Sequence, residues 1–381
     1  MIQHTAMKAT ILGIGTELTT GQITNKNGSW ISKQLIAFGV TTNAHLVVPD
    51  DKKLIIDALN YSADQSQIIF VTGGLGPTSD DFTRDIISQW TAKKLTFDES
   101  SWAHVQNRLT TRGFAVKDIQ RQQCYFPEGA KILTNMHGTA NGFYLKHIQN
   151  SFIKHLFILP GPPREIESIW NDHIIQWLSE NTRNLDKTIT KSWDTLGVGE
   201  SDVATLVETA LSGKTESLPL EIGYRVHLPY VEVKLSYPES ASYTCEMYIK
   251  NVDAAISKIT VLKNFEDITQ KFSALTEKTD FAFYDFVTHG FLHHRLSSQL
   301  KKHKHWMWKQ STESMDSDFF SEEQNFLALI PVNEFECSLM FEFKGVRKSV
   351  KIETQITSPL MTERRKQFFT EMALLEFVKV F

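Results

Sequence analysis

The chain has 381 residues, more than a single hydrophobic core usually organises, so two or three domains are expected. A composition of 41% hydrophobic and 22% charged residues is that of an ordinary globular protein. The net charge of −4 gives no electrostatic reason to expect nucleic acid as the main partner. The apolar runs are too short to cross a membrane, and residues 1–9 contain no apolar signal segment. The three cysteines lie far apart, so a reducing, cytoplasmic location is expected.

Strands and helices alternate through the first part of the chain. The hydrophobic pattern predicts strands at residues 9–15, 42–48 and 67–72, and helices at 25–38, 50–63 and from about 81. A further helix is predicted at 99–113, followed by strands at 131–133, 142–146 and 156–159 and a helix opened by Gly161-Pro162-Pro163. This rhythm predicts βαβ units, and hence an α/β fold with a parallel sheet.

Two more domains are predicted after this one, which is given residues 1–180. A polar stretch near 181–187 marks the boundary. Residues 188–262 are expected to form a small α+β domain, and residues 266–381 a second α/β domain.

The loops that follow the predicted strands carry the residues suited to chemistry. Parallel strands bring their carboxyl ends to one edge, where α/β proteins bind ligands. One loop contains Gly15, Thr16 and Glu17, and another contains Gly161 and Pro162. The third, called here the glycine loop (residues 73–81), reads Gly-Gly-Leu-Gly-Pro-Thr-Ser-Asp-Asp. Its glycines (Gly73, Gly74, Gly76) allow close approach of a phosphate, and Thr72, Thr78 and Ser79 can donate hydroxyl hydrogen bonds to it.

Acidic side chains at the same edge point to a divalent cation. Asp80 and Asp81 would repel a phosphate unless a cation lay between them, and Mg²⁺ is commonly held by carboxylate and phosphate oxygens together. Asp50 and Glu17 are expected nearby. Each feature has a plainer interpretation: the loop can be a tight turn with a helix cap, Asp50 an N-cap, and Glu17 a capping or solvent-exposed residue.

Several motifs resemble the competence/damage-inducible protein A (CinA) family. They are Gly15-Thr16-Glu17-Leu18 with Gly21-Gln22-Ile23 and Asn25, residues 72–83 (TGGLGPTSDDFT), Glu128-Gly129-Ala130, residues 138–143, and Leu159-Pro160-Gly161-Pro162. The resemblance implies a molybdopterin-binding fold of the MoaB/MogA type in the N-terminal domain. It also implies metal-dependent ADP-ribose pyrophosphatase activity with Mg²⁺ or Co²⁺, a nucleotide substrate and a homodimer. By matching position it adds Gly138 and Thr139 to the pocket, and it assigns Asp50 and Asp81 to the metal and Asp80, Asp81 and Glu17 to catalysis.

The chain departs from the family pattern in its later part. Where deamidase domains of the family read Ala-Glu-Ser-Cys-Thr-Gly-Gly-Leu-Leu, residues 284–292 place Phe286 at the nucleophilic serine and His289 at a glycine. Nicotinamide mononucleotide deamidase activity is therefore expected to be lost, since phenylalanine cannot attack a carboxamide. The middle domain would be KH-like, yet it has no basic Gly-x-x-Gly clamp, so nucleic-acid binding is not expected.

Three functions remain open from the sequence. The first is hydrolysis of a nucleotide pyrophosphate such as ADP-ribose. The second is binding or adenylation of a pterin phosphate through the same loops. The third is a non-catalytic scaffold, because one domain has lost its catalytic residue.

Overall fold

Two units are distinguished by the contacts within them, residues 1–188 and residues 189–381. The computed structural model describes residues 7–211, 219–300, 302–309, 320 and 324–381. The segment in which no signal peptide is predicted includes residues 1–6, and these lie outside the described residues. The predicted three-domain division stays a prediction.

The first unit alternates strands and helices as the sequence predicts. In chain order it contains β1 (Lys8–Ile14), α1 (Thr16–Thr19), α2 (Lys26–Ile36), β2 (Thr41–Val48), α3 (Lys52–Gln65), β3 (Ile68–Thr72), α4 (Thr83–Thr91), β4 (Leu95–Phe97), α5 (Glu99–Thr111), a 3₁₀ helix (Asp118–Cys124), β5 (Tyr125–Pro127), β6 (Lys131–Leu133), β7 (Gly142–Gln149), β8 (Phe152–Leu159), α6 (Pro163–Ile169), a π-helical turn (Trp170–Ile174) and α7 (Ile175–Asn181). The short elements α1, β4 and β5 and the 3₁₀ helix were not predicted, because they are too short to show a period.

The strands of the main sheet that precede the predicted site loops run parallel to one another. Its strand order is β2-β1-β3-β8-β7-β6, and β2, β1, β3 and β8 run parallel. The predicted parallel sheet is thus confirmed, and it is extended at one side by β7, which pairs antiparallel with β8, and by β6, which pairs antiparallel with β7. Only Asn150 and Ser151 connect β7 to β8, and so short a turn can join only antiparallel strands.

Helices cover both faces of this sheet, so the unit has three layers. Residues of β1 alternate between the two faces. Ala9 and Ile11 belong to a core with α2, α6 and α7, whereas Leu12 and Ile14 belong to a core with α3 and α4. The central strand β3 is buried at every position, as a strand covered on both faces should be.

Helix α4 begins two residues later than predicted. The sequence predicts a start near Asp81, but the first helical residue is Thr83 and the N-cap Phe82 makes no side-chain capping bond. By contrast, Asn25 and Asp98 cap α2 and α5 through Gly28 N and Ser101 N. Asp81 is therefore left in the glycine loop and not in the helix.

The second unit holds two sheets. Its elements are β9 (Thr188–Leu196), α8 (Glu200–Ala210), β10 (Glu221–His227), β11 (Tyr230–Pro238), α9 (Ser242–Ala255), β12 (Thr260–Lys263), α10 (Ile268–Leu275), β13 (Phe281–Asp285), α11 (Phe291–Leu296), β14 (Trp306–Trp308), β15 (Phe326–Asn333), β16 (Glu336–Phe343), β17 (Val346–Glu353) and α12 (Thr362–Val378). The strand orders are β10-β11-β9-β12 and β14-β13-β15-β16-β17. None of the described helices is long and apolar enough to cross a membrane.

A buried ionic network joins β11, α11 and α12 within the second unit. Tyr230 Oη and Arg295 Nε both donate to the carboxylate of Glu371, whose side chain is 3% exposed. Arg295 also lies 3.5 Å from Asp267 Oδ1. Burial, together with the nearby charge of Glu371, raises the pKa of Tyr230, so its phenol stays a donor. The network satisfies polar groups inside a largely aromatic and aliphatic core.

We expect Glu371→Ala to destabilise the second unit, by about 3 kcal/mol, because Arg295 and Tyr230 lose their acceptor in a buried setting. Urea denaturation of the full chain measures the loss. Glu376→Ala on the same helix is the control, since the one ion pair that the structure describes for Glu376 is with Lys379, one turn away. This substitution should change stability by less than about 0.5 kcal/mol. Equal stability of the two variants would show that the network contributes nothing.

Candidate functional site

The glycine loop leaves β3 by a turn that only glycine can make. Gly73 and Gly74 have φ values of 103° and 67°. A Cβ at Gly73 would collide with the carbonyl oxygen of Ile14, and one at Gly74 with Thr83 Oγ1. Gly73 N donates to Leu159 O at 3.1 Å, which joins the glycine loop to the end of β8. These two glycines are therefore needed by the chain itself, whatever binds above them.

Asp81 folds back onto the glycine loop. Its Oδ2 accepts from Thr78 N at 3.0 Å and from Thr78 Oγ1. A Cβ at Gly76 would collide with this carboxylate. The Thr78 hydroxyl, predicted to contact phosphate, thus donates to Asp81 here. Asp80 is exposed, and an exposed aspartate is ionised near neutral pH.

Asp50 is not the cap of α3. The N-cap is Asp51, whose side chain accepts from Leu54 N at 2.9 Å, so the capping interpretation of Asp50 is wrong. Asp50 Oδ2 instead accepts from Thr16 N at 2.8 Å and Thr16 Oγ1 at 2.9 Å. This pair fixes the loop after β1 against the end of β2, where Gly15 N also donates to Val48 O.

Glu17 lies at the mouth of the site in the short helix α1. It is exposed, and its carboxylate lies over Gly15, within 2.6 Å of the position that a Cβ there would take. The arrangement repeats that of Asp81 over Gly76. In both loops the carboxylate occupies the space that a side chain on the glycine would need.

A cleft of about 570 Å³ brings the predicted residues together. It opens at the carboxyl edge of β1, β2, β3 and β8 and at the amino end of β7, as the sheet topology requires. Every predicted site residue lines it except Thr16, Thr78, Ser79 and Gly138. Thr16 and Thr78 contact the lining residues Asp50 and Asp81, and Gly138 lies beside Glu165.

Glu165 is a lining residue that the sequence reasoning missed. It occupies the first turn of α6, accepts from Asn135 Nδ2 at 2.6 Å and lies over Gly138. Asn135 Oδ1 in turn accepts from His137 N and Gly138 N, so Asn135 shapes this loop. Burial raises the pKa of Glu165. The sequence did contain a signal for Glu165. It is an acid two residues after the second proline of Gly161-Pro162-Pro163, at the sheet edge already identified as the ligand site.

Two amides were also missed. Asn27 Nδ2 donates to Gly161 O at 2.8 Å and so ties α2 to the loop after β8. Gln123, in the 3₁₀ helix, lines the cleft beside Leu75. Neither had a sequence signal, because both reach the cleft from elements that are distant in the chain.

The charged side chains that the structure describes along the cleft are all acidic. Among the described residues that line it, five are acidic (Glu17, Asp50, Asp80, Asp81, Glu165) and none is Lys or Arg. A phosphate entering this cleft meets repulsion unless a cation accompanies it. No three His, Cys, Asp or Glu side chains of the described chain form a preassembled metal cage.

In the second unit, the loop that resembles the deamidase motif is closed by its own hydrogen bonds. Thr288 is fully buried, its hydroxyl donates to Asp285 Oδ2, and it accepts from Leu292 N. Asp285 also accepts from Val287 N and Thr288 N. Phe286, at the position of the serine, packs against a small core that contains Tyr284 and Phe320.

The fold and cleft of the first unit define an α/β domain of the molybdopterin-binding type. The family described as "Probable molybdopterin binding domain" matches residues 10–180. A putative competence-damage inducible protein of Clostridium botulinum is 35% identical over 209 residues, covering 55% of this chain and 50% of its own length. One from Caldicellulosiruptor saccharolyticus is 30% identical over 226 residues, covering 58% of this chain and 54% of its own. The chain thus spans about half the length of the curated relatives it matches.

Solved structures that resemble this chain each cover less than half of it. CinA from Thermoplasma acidophilum, of unknown function, has 28% identity and a TM-score of 0.40, covering 45% of this chain and 98% of its own. The tungsten cofactor synthesizing protein MoaB from Pyrococcus furiosus has 18% identity and a TM-score of 0.33, covering 47% and 99%. Residues 10–180 thus match a probable molybdopterin binding domain, and the chain is similar to putative competence-damage inducible proteins over about half of its length.

Gly161 offers a clean test of the cleft. It lines the cleft, and the nearest atom to a Cβ placed on it is Gly73 Cα at 4.0 Å, so a side chain fits without strain. We expect Gly161→Val to weaken binding of a non-hydrolysable methylene analogue of ADP-ribose by about tenfold, because the valine blocks close approach to the backbone. Calorimetric titration measures the affinity, and thermal unfolding should be unchanged.

The matched control is Gly223→Val in β10. Among the described residues a Cβ there would meet only Lys234 Cβ, at 3.8 Å, and Gly223 is not one of the residues that line the cleft. Undiminished affinity in Gly161→Val would show that ligands bind elsewhere.

Proposed function

We propose that the first unit hydrolyses the pyrophosphate bond of a nucleotide such as ADP-ribose with the help of a divalent cation. The observation that carries the proposal is the cleft itself, where five acids and the backbone of three glycine-containing loops converge without a basic side chain. Such a site is suited to an anionic phosphate only when a cation is shared between the acids and the ligand.

The residues divide into those that would hold the cation and those that would act on water. Asp50 and Asp81 would hold Mg²⁺ or Co²⁺, since both are fixed by threonine hydrogen bonds within the cleft wall. The cation, when bound, would neutralise phosphate charge and polarise the phosphoryl group. Asp80 and Glu17 are exposed carboxylates at the mouth and can accept a proton from water. Water then adds to one phosphorus and the P–O bond breaks, giving AMP and ribose 5-phosphate.

Binding of a pterin phosphate is the second candidate. The match of residues 10–180 to a probable molybdopterin binding domain favours it. The two functions differ in outcome: the first releases AMP from ADP-ribose in a metal-stimulated reaction, and the second gives tight pterin binding without hydrolysis. If the chain shows neither AMP release nor pterin binding, the scaffold function is favoured. The homodimer expected from the family resemblance also stays a prediction.

Asp81→Asn should reduce AMP release by about 10³-fold or more, the order expected when charge stabilisation worth several kcal/mol is lost. Asparagine keeps an oxygen that can accept from Thr78 N, so the loop and the thermal stability should be retained. Release of AMP at several Mg²⁺ and Co²⁺ concentrations measures the effect. Asp57→Asn is the control, because Asp57 pairs with Lys53 on an exposed helix face. Full activity with unchanged metal dependence in Asp81→Asn would overturn the assignment.

The second unit should release no ammonia from nicotinamide mononucleotide. The Thr288 hydroxyl is buried with both donor and acceptor roles in use, and Phe286 carries no nucleophile. An ammonia assay on the purified chain, beside a family member that keeps the serine motif, tests this. Sustained turnover that survives Thr288→Ala would mean that the catalytic residue lies elsewhere and that the motif is misaligned.

A further inference from the structure

A second pocket is formed within the second unit. Its volume is about 460 Å³, within the size range of pockets that hold small molecules. Three elements form it: the turn between β10 and β11 (residues 227–230), residues 291–295 of α11 and residues 367–371 of α12. It is called here the histidine–arginine pocket, after His227, His294 and Arg295 in its wall. None of the described residues that line this pocket also lines the cleft.

Side-chain bonds hold the three elements together at the histidine–arginine pocket. Tyr230 Oη of β11 and Arg295 Nε of α11 both donate to the Glu371 carboxylate of α12. At the turn, His227 Nε2 lies 2.8 Å from Asp194 Oδ1 of β9. These bonds fix the wall before a ligand arrives, so binding has less conformational entropy to lose.

The basic side chains of this pocket are exposed, whereas its acid is covered. The Arg295 and His227 side chains are 34% and 35% exposed, and His294 is exposed. Glu371 is the one acidic residue among the described residues that line the pocket. It is 3% exposed, and each of its carboxylate oxygens already accepts a hydrogen bond. A ligand that enters can therefore reach the basic side chains but not a free carboxylate.

Arg295 has hydrogen-bonding capacity to spare. A guanidinium carries five N–H donors in a planar fork. The described residues engage two of them, one with Glu371 and one with Asp267 Oδ1 at 3.5 Å. Carboxylates match this fork in shape and bind it through parallel hydrogen bonds. Because solvent reaches the Arg295 side chain, the remaining donors are suited to an anion.

The acids around the pocket restrict the charge of that anion. Glu371 and Asp267 already balance part of the positive charge of Arg295, and Asp194 lies beside His227. These three acids would repel a dianion such as a phosphate monoester more strongly than a monoanion. A single carboxylate therefore fits the charge of the pocket better than a phosphate.

Apolar groups supply another part of the wall. Leu228 and Pro229 of the turn and Phe291 of α11 line the pocket, and Leu228 is 50% exposed. A ring or a short aliphatic chain on the ligand would remove part of this surface from water. The pocket thus offers donors for a carboxylate and an apolar surface for the group attached to it.

We propose that the histidine–arginine pocket binds a small monocarboxylate with an apolar body, whose carboxylate accepts hydrogen bonds from Arg295 and lies near His294. Benzoate has this chemistry and serves as the probe. The proposal concerns a different set of residues from those of the cleft, so it does not depend on the proposed hydrolysis.

The test compares His294→Glu with His293→Glu in the full chain. Both histidines are exposed on α11, but only His294 lines the pocket, whereas His293 packs against Trp308 with 4.7 Å between the ring centroids. Calorimetric titration with benzoate is done near neutral pH without divalent cations, so that the acidic cleft has no cation to attract the anion. We expect His294→Glu to weaken benzoate binding about tenfold or more, because it puts a negative charge beside the carboxylate. His293→Glu changes the net charge equally and should alter the affinity by less than about twofold.

Related probes test each part of the proposal. Acetate should bind the wild-type chain more weakly than benzoate, because it lacks the apolar body, and the neutral analogue benzamide should not bind measurably. Benzamide binding as tight as that of benzoate overturns the inference, as does equal weakening in the two variants or no benzoate binding to the wild-type chain. Tighter binding of phenyl phosphate than of benzoate overturns the assignment to a monocarboxylate.

The wild-type chain also provides a test that needs no substitution. Amide NMR signals of Phe291 and Thr370, which both line the pocket, should shift when benzoate is added. Shifts confined to residues outside the pocket would place the ligand elsewhere and overturn the inference. Thermal unfolding of both variants should match that of the wild-type chain, because both substituted side chains are exposed.

Discussion

The hydrogen bond from Gly73 N to Leu159 O holds the candidate site together. It extends the parallel pairing of β3 and β8 by one step beyond the strands, so two loops start from a common fixed point. Gly73 also passes so close to Ile14 that no side chain fits between them, which fixes the end of β1 as well. Three chain segments thus meet around one residue without a side chain. The rest of the cleft is positioned relative to that contact.

The strands of the first unit and the loops that line the cleft could largely be predicted from the sequence, because they depend on patterns within short segments. The runs that form β1, β2 and β3 are apolar and end in glycine, aspartate or threonine, and parallel pairing then places their loops at one edge. The weaker signals depend on contacts that only the folded chain supplies. The sequence offers Asp50 as a helix cap, yet the observed cap is Asp51, because Asp50 is bound by Thr16, which lies more than thirty residues earlier. The start of α4 was misplaced for the same reason, since Asp81 bonds to Thr78 in the loop and does not cap the helix.

Aromatic packing and internally satisfied polar groups organise the second unit. Phe281 and Phe283 of β13 contact Phe272, and Phe377 joins the same aromatic group. Aromatic side chains bury large apolar areas and hold their neighbours by edge-to-face contacts. In the loop after β13, Asp285 binds the backbone of its own turn, so the polar groups there are satisfied internally. What the sequence could not reveal was the Tyr230–Glu371–Arg295 network, whose members come from three separate elements.

Three carboxylates of the cleft each lie where a neighbouring glycine would carry its Cβ: Glu17 over Gly15, Asp81 over Gly76 and Glu165 over Gly138. Replacing any of these glycines, even by alanine, would displace the acid above it and so change the distribution of charge in the cleft. Conversely, if the acid were shortened or lost, the glycine would be released from its restriction. Each glycine and its acid should therefore change together during divergence, so that a homologue with a larger residue at one of these positions has also given up, or moved, the charge beside it.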